Sequence, residues 1–242
     1  MRQTPMRPPS RRSGTRQALS LFGLAAALML LSQAAQAHAV TLGDKGYIQE
    51  TTGTHLIPFL YLGAKHMVTG YDHILFLLGV IFFLYGMKQI STYVSLFAIG
   101  HSTTMLAGVY FDIGINSYIV DAIIGFSVAY KALDNLGAFR VWFGVQPSTK
   151  AVTLIFGFLH GFGLASKIID YDISPDGLVP NLLAFNLGVE IGQLLALAAI
   201  LVVMTRWRAS PSFARQAYAA NALMMTAGFA LMGFQIAGFF VA

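Results

Sequence analysis

The chain has 242 residues, 56% of them hydrophobic and only 10% charged, where an ordinary soluble domain carries about 25% charged residues. With a mean hydropathy of +0.67, water is not its main solvent, and the apolar runs leave no length for a separate soluble core. The +5 net charge is no argument for nucleic acid, since five of the fifteen basic residues are Arg2, Arg7, Arg11, Arg12 and Arg16; with no cysteine, disulfides and thiolate ligation are excluded and any metal must be held by nitrogen, oxygen or thioether sulfur.

Taken in chain order, residues 1–17 are basic and rich in Pro and Ser, Ala18 to Leu31 is apolar, and Ala35-Gln36-Ala37 fits a small-residue cleavage site. The apolar run falls short of the roughly 20 residues needed to cross a bilayer, so residues 1–37 are expected to be a cleaved signal peptide. Residues 38–55 then form a periplasmic N-terminal segment, and 56–242 a transmembrane helical domain. Leu56 to Val68, interrupted by Pro58, Lys65 and His66, reads as a short periplasmic interfacial helix feeding the first span.

Six apolar segments follow: Tyr71 to Gly86, Thr92 to Phe111, Tyr118 to Leu133, Ala151 to Ile168, Leu182 to Met204 and Ala219 to Val241. The expected fold is all-α, a polytopic bundle of six transmembrane helices. Lys and Arg in the loops set orientation. With the mature N-terminus outside, Lys88, Lys131, Arg140, Lys150, Arg206, Arg208 and Arg215 fall inside and only Lys45, Lys65 and Lys167 outside. Both ends of the mature chain are thus expected in the periplasm, in a multi-pass protein of the bacterial inner membrane.

Ionisable residues inside spans cost about 2.5–3.5 kcal/mol each at a helix centre and therefore face a cavity or a partner. Here Asp72 and His73 open the first span, His101 and Ser102 lie in the second, Asp121 in the third and His160 in the fourth, while Asn186, Glu190 and Gln193 form an i, i+4, i+7 stripe on the fifth. Counted at about 1.5 Å per residue, Asp72, His73, His101, Asp121, His160 and Glu190 all fall in the outer half of the bilayer. Five helices of alternating direction would scatter unrelated polar groups through the full thickness, so the common level points to one site. Gly157-x-x-x-Gly161 and Gly188-x-x-x-Gly192 bracket His160 and Glu190 with the spacing that lets helices approach closely. If the interfacial helix ran straight into the first span, His66 and His73 would share a face, although Gly70 lies between them.

The segments HMVTGYDHILFLLGV, FAIGHSTTMLAG, VDAIIGFSVAYKALDN, FGFLHGFGLASKI and LLAFNLGVEIGQL together resemble the HupE/UreJ family of membrane proteins. The resemblance implies a secondary permease for nickel or cobalt, connected with hydrogenase and urease maturation. It makes His66, Asp72, His73, His101, His160 and Glu190 candidate ligands, to which the shared depth adds Asp121, with Asn186, Gln193 and Ser102 as supporting polar groups.

Imidazole and carboxylate suit Ni²⁺, Co²⁺ and Zn²⁺, whereas ten methionines, Met105 one turn after His101 among them, leave copper open. The expectation is an uptake transporter for a divalent transition metal ion, with lipid and metal as partners and no enzymatic activity. The rival expectations are an assembly factor handing metal to an envelope metalloenzyme, singly or as a homo-oligomer, and a membrane metalloenzyme, for which neither a HExxH motif nor a nucleophile elbow is present.

Overall fold

A computed structural model describes residues 42–170 and 174–241 of the chain. The expected signal peptide and the first residues of the segment after it lie outside the described residues. Among those described, every regular element is a helix: α1 (Leu42–Glu50), α2 (Leu56–Thr69), α3 (Tyr71–Ile81), α4 (Met87–Tyr110), α5 (Ser117–Asn135), α6 (Ala138–Phe143), α7 (Thr149–Ile169), α8 (Leu178–Arg208) and α9 (Phe213–Val241). Three of these, α7, α8 and α9, are long and apolar enough to cross a membrane, and α3 is a shorter apolar helix. At 24 residues α4 has the length, but Lys88, Gln89, Thr92, His101 and Thr104 dilute its apolarity.

The starts of the helices are written locally. Asn116 caps α5, its side-chain oxygen accepting from the backbone N–H groups of Tyr118 and Ile119 at 3.0 and 3.4 Å. Pro58 and Pro180 sit in the first turns of α2 and α8, where a missing N–H is harmless. Gly177, before α8, has a φ of +74° and lies so close to the chain that a Cβ would stand 2.3 Å from the Gly53 carbonyl oxygen.

Glycine then pairs the long helices. A Cβ on Gly188 would lie 2.0 Å from the Leu60 oxygen and one on Gly63 1.9 Å from the Phe185 oxygen, so α2 and α8 touch backbone to backbone and run parallel. Gly157 meets the Phe97 oxygen and Gly161 the His101 oxygen, joining α4 and α7 in parallel. Gly228 meets Ala129, and Gly125 meets Met232, joining α5 and α9 antiparallel. Such seams replace the hydrophobic drive that lipid cannot supply between helices with close van der Waals contact. The short α3 makes contacts with α2, α4, α5, α8 and α9 and stands among the three pairs.

Leu56–Thr69 does not lie across the end of the bundle as an interfacial helix. It packs along the first half of α8, from the Gly53–Gly177 approach to Met67 against Gly192. The chain turns at Gly70 and goes on as α3, whose end reaches Arg208 at the end of α8: the guanidinium Nη2 donates to the carbonyls of Ile81 and Phe82. α2 and α3 are therefore two halves of one crossing-length element, 56–81, parallel to α8 and broken at Gly70. The sequence missed this because Lys65 and His66 make α2 look superficial, whereas His66 is buried against the neighbouring halves and Ile57, Tyr61 and Val68 face outward.

Polarity is distributed inside out. Leu183, Leu187, Leu194, Leu195, Val202, Val203, Leu223, Phe234 and Phe240 are exposed, while His66, Asp72, His73, His101, Asp121, Lys131 and His160 are buried. A soluble monomer seldom exposes so much contiguous apolar surface, and this arrangement belongs to a membrane protein.

Candidate metal centre

Four helices deliver one imidazole each. His66 lies in the last turn of α2, His73 in the first turn of α3, His101 is on α4 beside its Gly100 and Gly157 contacts with α7, and His160 is on α7. His73 is the hub: its ring centroid lies 5.2 Å from that of His66, 5.7 Å from His101 and 5.2 Å from His160. His73, His101 and His160 are each 1% exposed.

The break at Gly70 makes this meeting possible. The Gly70 N–H closes α2 by donating to the His66 carbonyl, and a Cβ on Gly70 would stand only 2.7 Å from His73 Nδ1. Any larger residue would push the ring away. Asp72 then uses one oxygen twice, Oδ1 accepting from the His73 backbone N–H at 2.9 Å and lying 3.1 Å from His73 Nδ1. A carboxylate so placed fixes the ring and its tautomer, leaving Nε2 as the nitrogen that could ligate a metal. His160 is set likewise: Nδ1 lies 2.7 Å from the Phe156 carbonyl, which can only accept, so the lone pair is on Nε2.

His160 Nε2 and both ring nitrogens of His101 are buried with no hydrogen-bond partner among the described residues. Buried polar atoms are nearly always bonded, and an unsatisfied one costs about 1–3 kcal/mol. Three such nitrogens beside His73 mark a place shaped for something the protein does not itself supply. One ligand atom from each of His66, His73 and His101 can be chosen so that all lie within 4.8 Å of one another. Two nitrogens about 2.1 Å from a common tetrahedral ion stand about 3.4 Å apart, so an ion would draw the rings together.

Beneath the imidazoles is an aromatic layer. Phe76 follows His73 by three residues on α3, and Phe97 and Phe156 precede His101 and His160 by four on helices running the other way, so all three lie one turn to the same side. Phe76 stands 5.3 Å from Phe97 and 5.8 Å from Phe156 between ring centroids. Beyond it comes a second polar level, where Lys131 pairs with Asp134, Gln146 also donates to Asp134, and Asn135 Nδ2 donates to Gly79 and Asn221.

Two expected ligands stand apart. Asp121 is buried but engaged by Lys167, whose Nζ donates to Oδ2 at 2.8 Å. Glu190 is exposed; with Val94, Ser95, Ala98 and Gln193 it lines a cavity of about 370 Å³ between α4 and α8. The polar stripe of α8 divides accordingly, since Gln193 is buried and donates to the Val94 carbonyl at 3.3 Å while Glu190 opens outward. The Asn186 Oδ1 and Ser102 Oγ are buried with no hydrogen-bond partner among the described residues. Sequence reasoning missed Lys167 as part of the site. It was counted only as a loop charge, although it is seven residues from His160 and hence on the same helical face.

Residues 42–242 match the family described as HupE / UreJ protein. The chain belongs to the HupE/UreJ family. This family is associated with nickel or cobalt transport or with urease and hydrogenase maturation. No curated protein and no solved structure gives a match. Metal handling by the family agrees with a buried histidine cluster.

Proposed function

We propose that this HupE/UreJ protein is a secondary uptake permease for a divalent transition metal ion, nickel or cobalt. The observation that carries the proposal is the convergence of three buried imidazoles, His66, His101 and His160, on a fourth, His73, at the break of a discontinuous helix. Transporters commonly bind their ions where a broken helix lets side chains and helix ends face a cavity. Soft Cu⁺ would call for thioethers among the ligands, and Met105, though buried near His101 in sequence, is one sulfur against four imidazoles.

The chain crosses the bacterial inner membrane six times: 56–81 as one broken span, then α4, α5, α7, α8 and α9. Both ends of the mature chain face the periplasm. The parallel pairing of α2 with α8 and of α4 with α7, and the antiparallel pairing of α5 with α9, are what strict alternation of six crossings requires. The ion enters from the end where Gly53 and Gly177 meet, exchanges its water for imidazole nitrogen, and is held above the Phe76, Phe97 and Phe156 layer until the bundle rearranges. The membrane potential, about 2.3 kcal/mol per charge per 100 mV, draws it inward. The chain binds and passes its cargo and catalyses no covalent step.

The test is uptake of radioactive nickel or cobalt into proteoliposomes holding the purified chain. Saturable accumulation that disappears in His73→Ala is the expected outcome. Stoichiometric binding with no flux in the native chain would instead make it an assembly factor.

A further inference from the structure

The face of α7 that carries His160 continues through Gly163 to Lys167, at i, i+3 and i+7. Lys167 lies in the last turn of α7, where a lysine ordinarily extends its ammonium outward to the headgroups and water. Here it turns inward, its side chain 13% exposed, and binds Oδ2 of Asp121, whose side chain is 7% exposed. The other carboxylate oxygen, Oδ1, is buried with no hydrogen-bond partner among the described residues.

That oxygen faces the notch left by Gly163, where an added Cβ would sit 3.7 Å from it. The notch is three residues from His160. Asp72 and His73 both act electrostatically on Asp121, and Lys167 acts on His66. A half-satisfied carboxylate thus lies at the edge of the imidazole cluster, on the side away from the phenylalanine layer, held neutral by a cation on a flexible stem.

We propose that Lys167 is a tethered stand-in for the entering ion: it occupies Asp121 while the site is empty and yields the carboxylate to a hydrated divalent cation, which Asp121 then passes to His73 and His160. The proposal rests on the permease function above and adds to it an entrance station and the residue that sets its affinity. A dication arriving at Asp121 meets a carboxylate already half prepared by burial of Oδ1, and the released ammonium swings toward water. Because the exchange is one cation for another, the Asp121 carboxylate is never left without a counter-charge in a medium where that would be costly.

The two members of the pair must then act in opposite directions. The concentration for half-maximal nickel uptake into proteoliposomes is compared for the native chain, Lys167→Gln, Asp121→Asn and the double variant. A unit charge about 10 Å from a divalent ion, the axial distance of seven helical residues, is worth about fourfold even at the dielectric of water. Lys167→Gln is therefore expected to lower the half-saturating concentration by about fourfold or more, Asp121→Asn to raise it by a similar factor, and the double variant to lose the gain of Lys167→Gln.

A purely structural ion pair would move both single variants the same way, and that result overturns the proposal, as does a double variant that keeps the gain. Should a single variant fail to fold, the native chain still decides. Labelling of Lys167 by a small amine-reactive acetylating reagent, read by mass spectrometry, is expected to rise when NiCl₂ is added, and unchanged or reduced labelling refutes the exchange. Native protein that accumulates no metal removes the permease function and this proposal together, whereas native uptake with like-signed variants removes this proposal alone.

Discussion

His101 shows how a single residue reports function through its unmet bonds. Both of its nitrogens are buried without partners among the described residues, on a helix face packed against α7. Nothing about folding calls for that imidazole. A leucine of similar volume would remove two unsatisfied polar atoms, so His101→Leu is expected to leave the thermal unfolding midpoint in detergent unchanged or higher, while nickel binding by titration calorimetry is lost. A midpoint that falls sharply would mean the ring is a packing element. His73 differs, because its Nδ1 is engaged by Asp72 and its Nε2 faces the other rings. The sequence named His73, His101 and His160 from their rarity in membranes and His66 from the family resemblance, but nothing in it could show that Asp121 already holds a cation. That pairing brings α5 and α7 residues 46 positions apart into contact.

At the level of helices, glycine decides who touches whom. α2 and α8 approach so closely at Gly188 that any side chain there would overlap the Leu60 carbonyl. Gly188→Leu is expected to abolish the monodisperse peak in size-exclusion chromatography of the detergent-solubilised chain. Gly46→Leu, at a position with open space around it, is the matched control and should leave the peak intact. The small-xxx-small spacing was legible in the sequence, and at Gly188 and Gly192 it marks the real α2–α8 seam. What it could not tell was the partner. The nearest His-bearing neighbour of Gly161 turned out to be α4, and Glu190, bracketed by the same motif, turned out to point into a cavity rather than toward the imidazoles. A helix has two neighbours and an outside, and a spacing of four specifies a face without saying which of these it meets.

Across the whole molecule the charges sort by end. Lys88, Lys131, Arg140, Lys150, Arg206, Arg208 and Arg215 all belong to the end where α3 unwinds and Arg208 closes it, opposite the end where Gly53, Asn181 and Gly177 meet. By the rule that basic loops remain in the cytoplasm, the first end is expected to face inward. The chain has no native cysteine, so single cysteines can be read without background. Asp176→Cys is expected to react with a membrane-impermeant maleimide added to spheroplasts, and Lys150→Cys only after the membrane is broken. The reverse pattern would invert the direction of transport. Within that frame the layers run from the Asp121–Lys167 pair through the imidazoles and the phenylalanines to the Lys131–Asp134 and Asn135–Asn221 level, a sequence of polar, apolar and polar zones suited to holding an ion at one side until the helices move.

Composition and periodicity by themselves determined that the chain is helical, belongs in a membrane and carries histidines and carboxylates within its apolar segments, because insertion cost and helical pitch act on each segment separately. The HupE/UreJ kinship was likewise legible in five ordered segments. Only the tertiary structure decided that α2 is half of a broken, crossing-length element, that His73 is the centre of the cluster, that Asp121 answers to Lys167 and that Glu190 stands aside. Those outcomes depend on which helix faces which. That is settled by glycine contacts between segments distant in the chain, and no single segment encodes it.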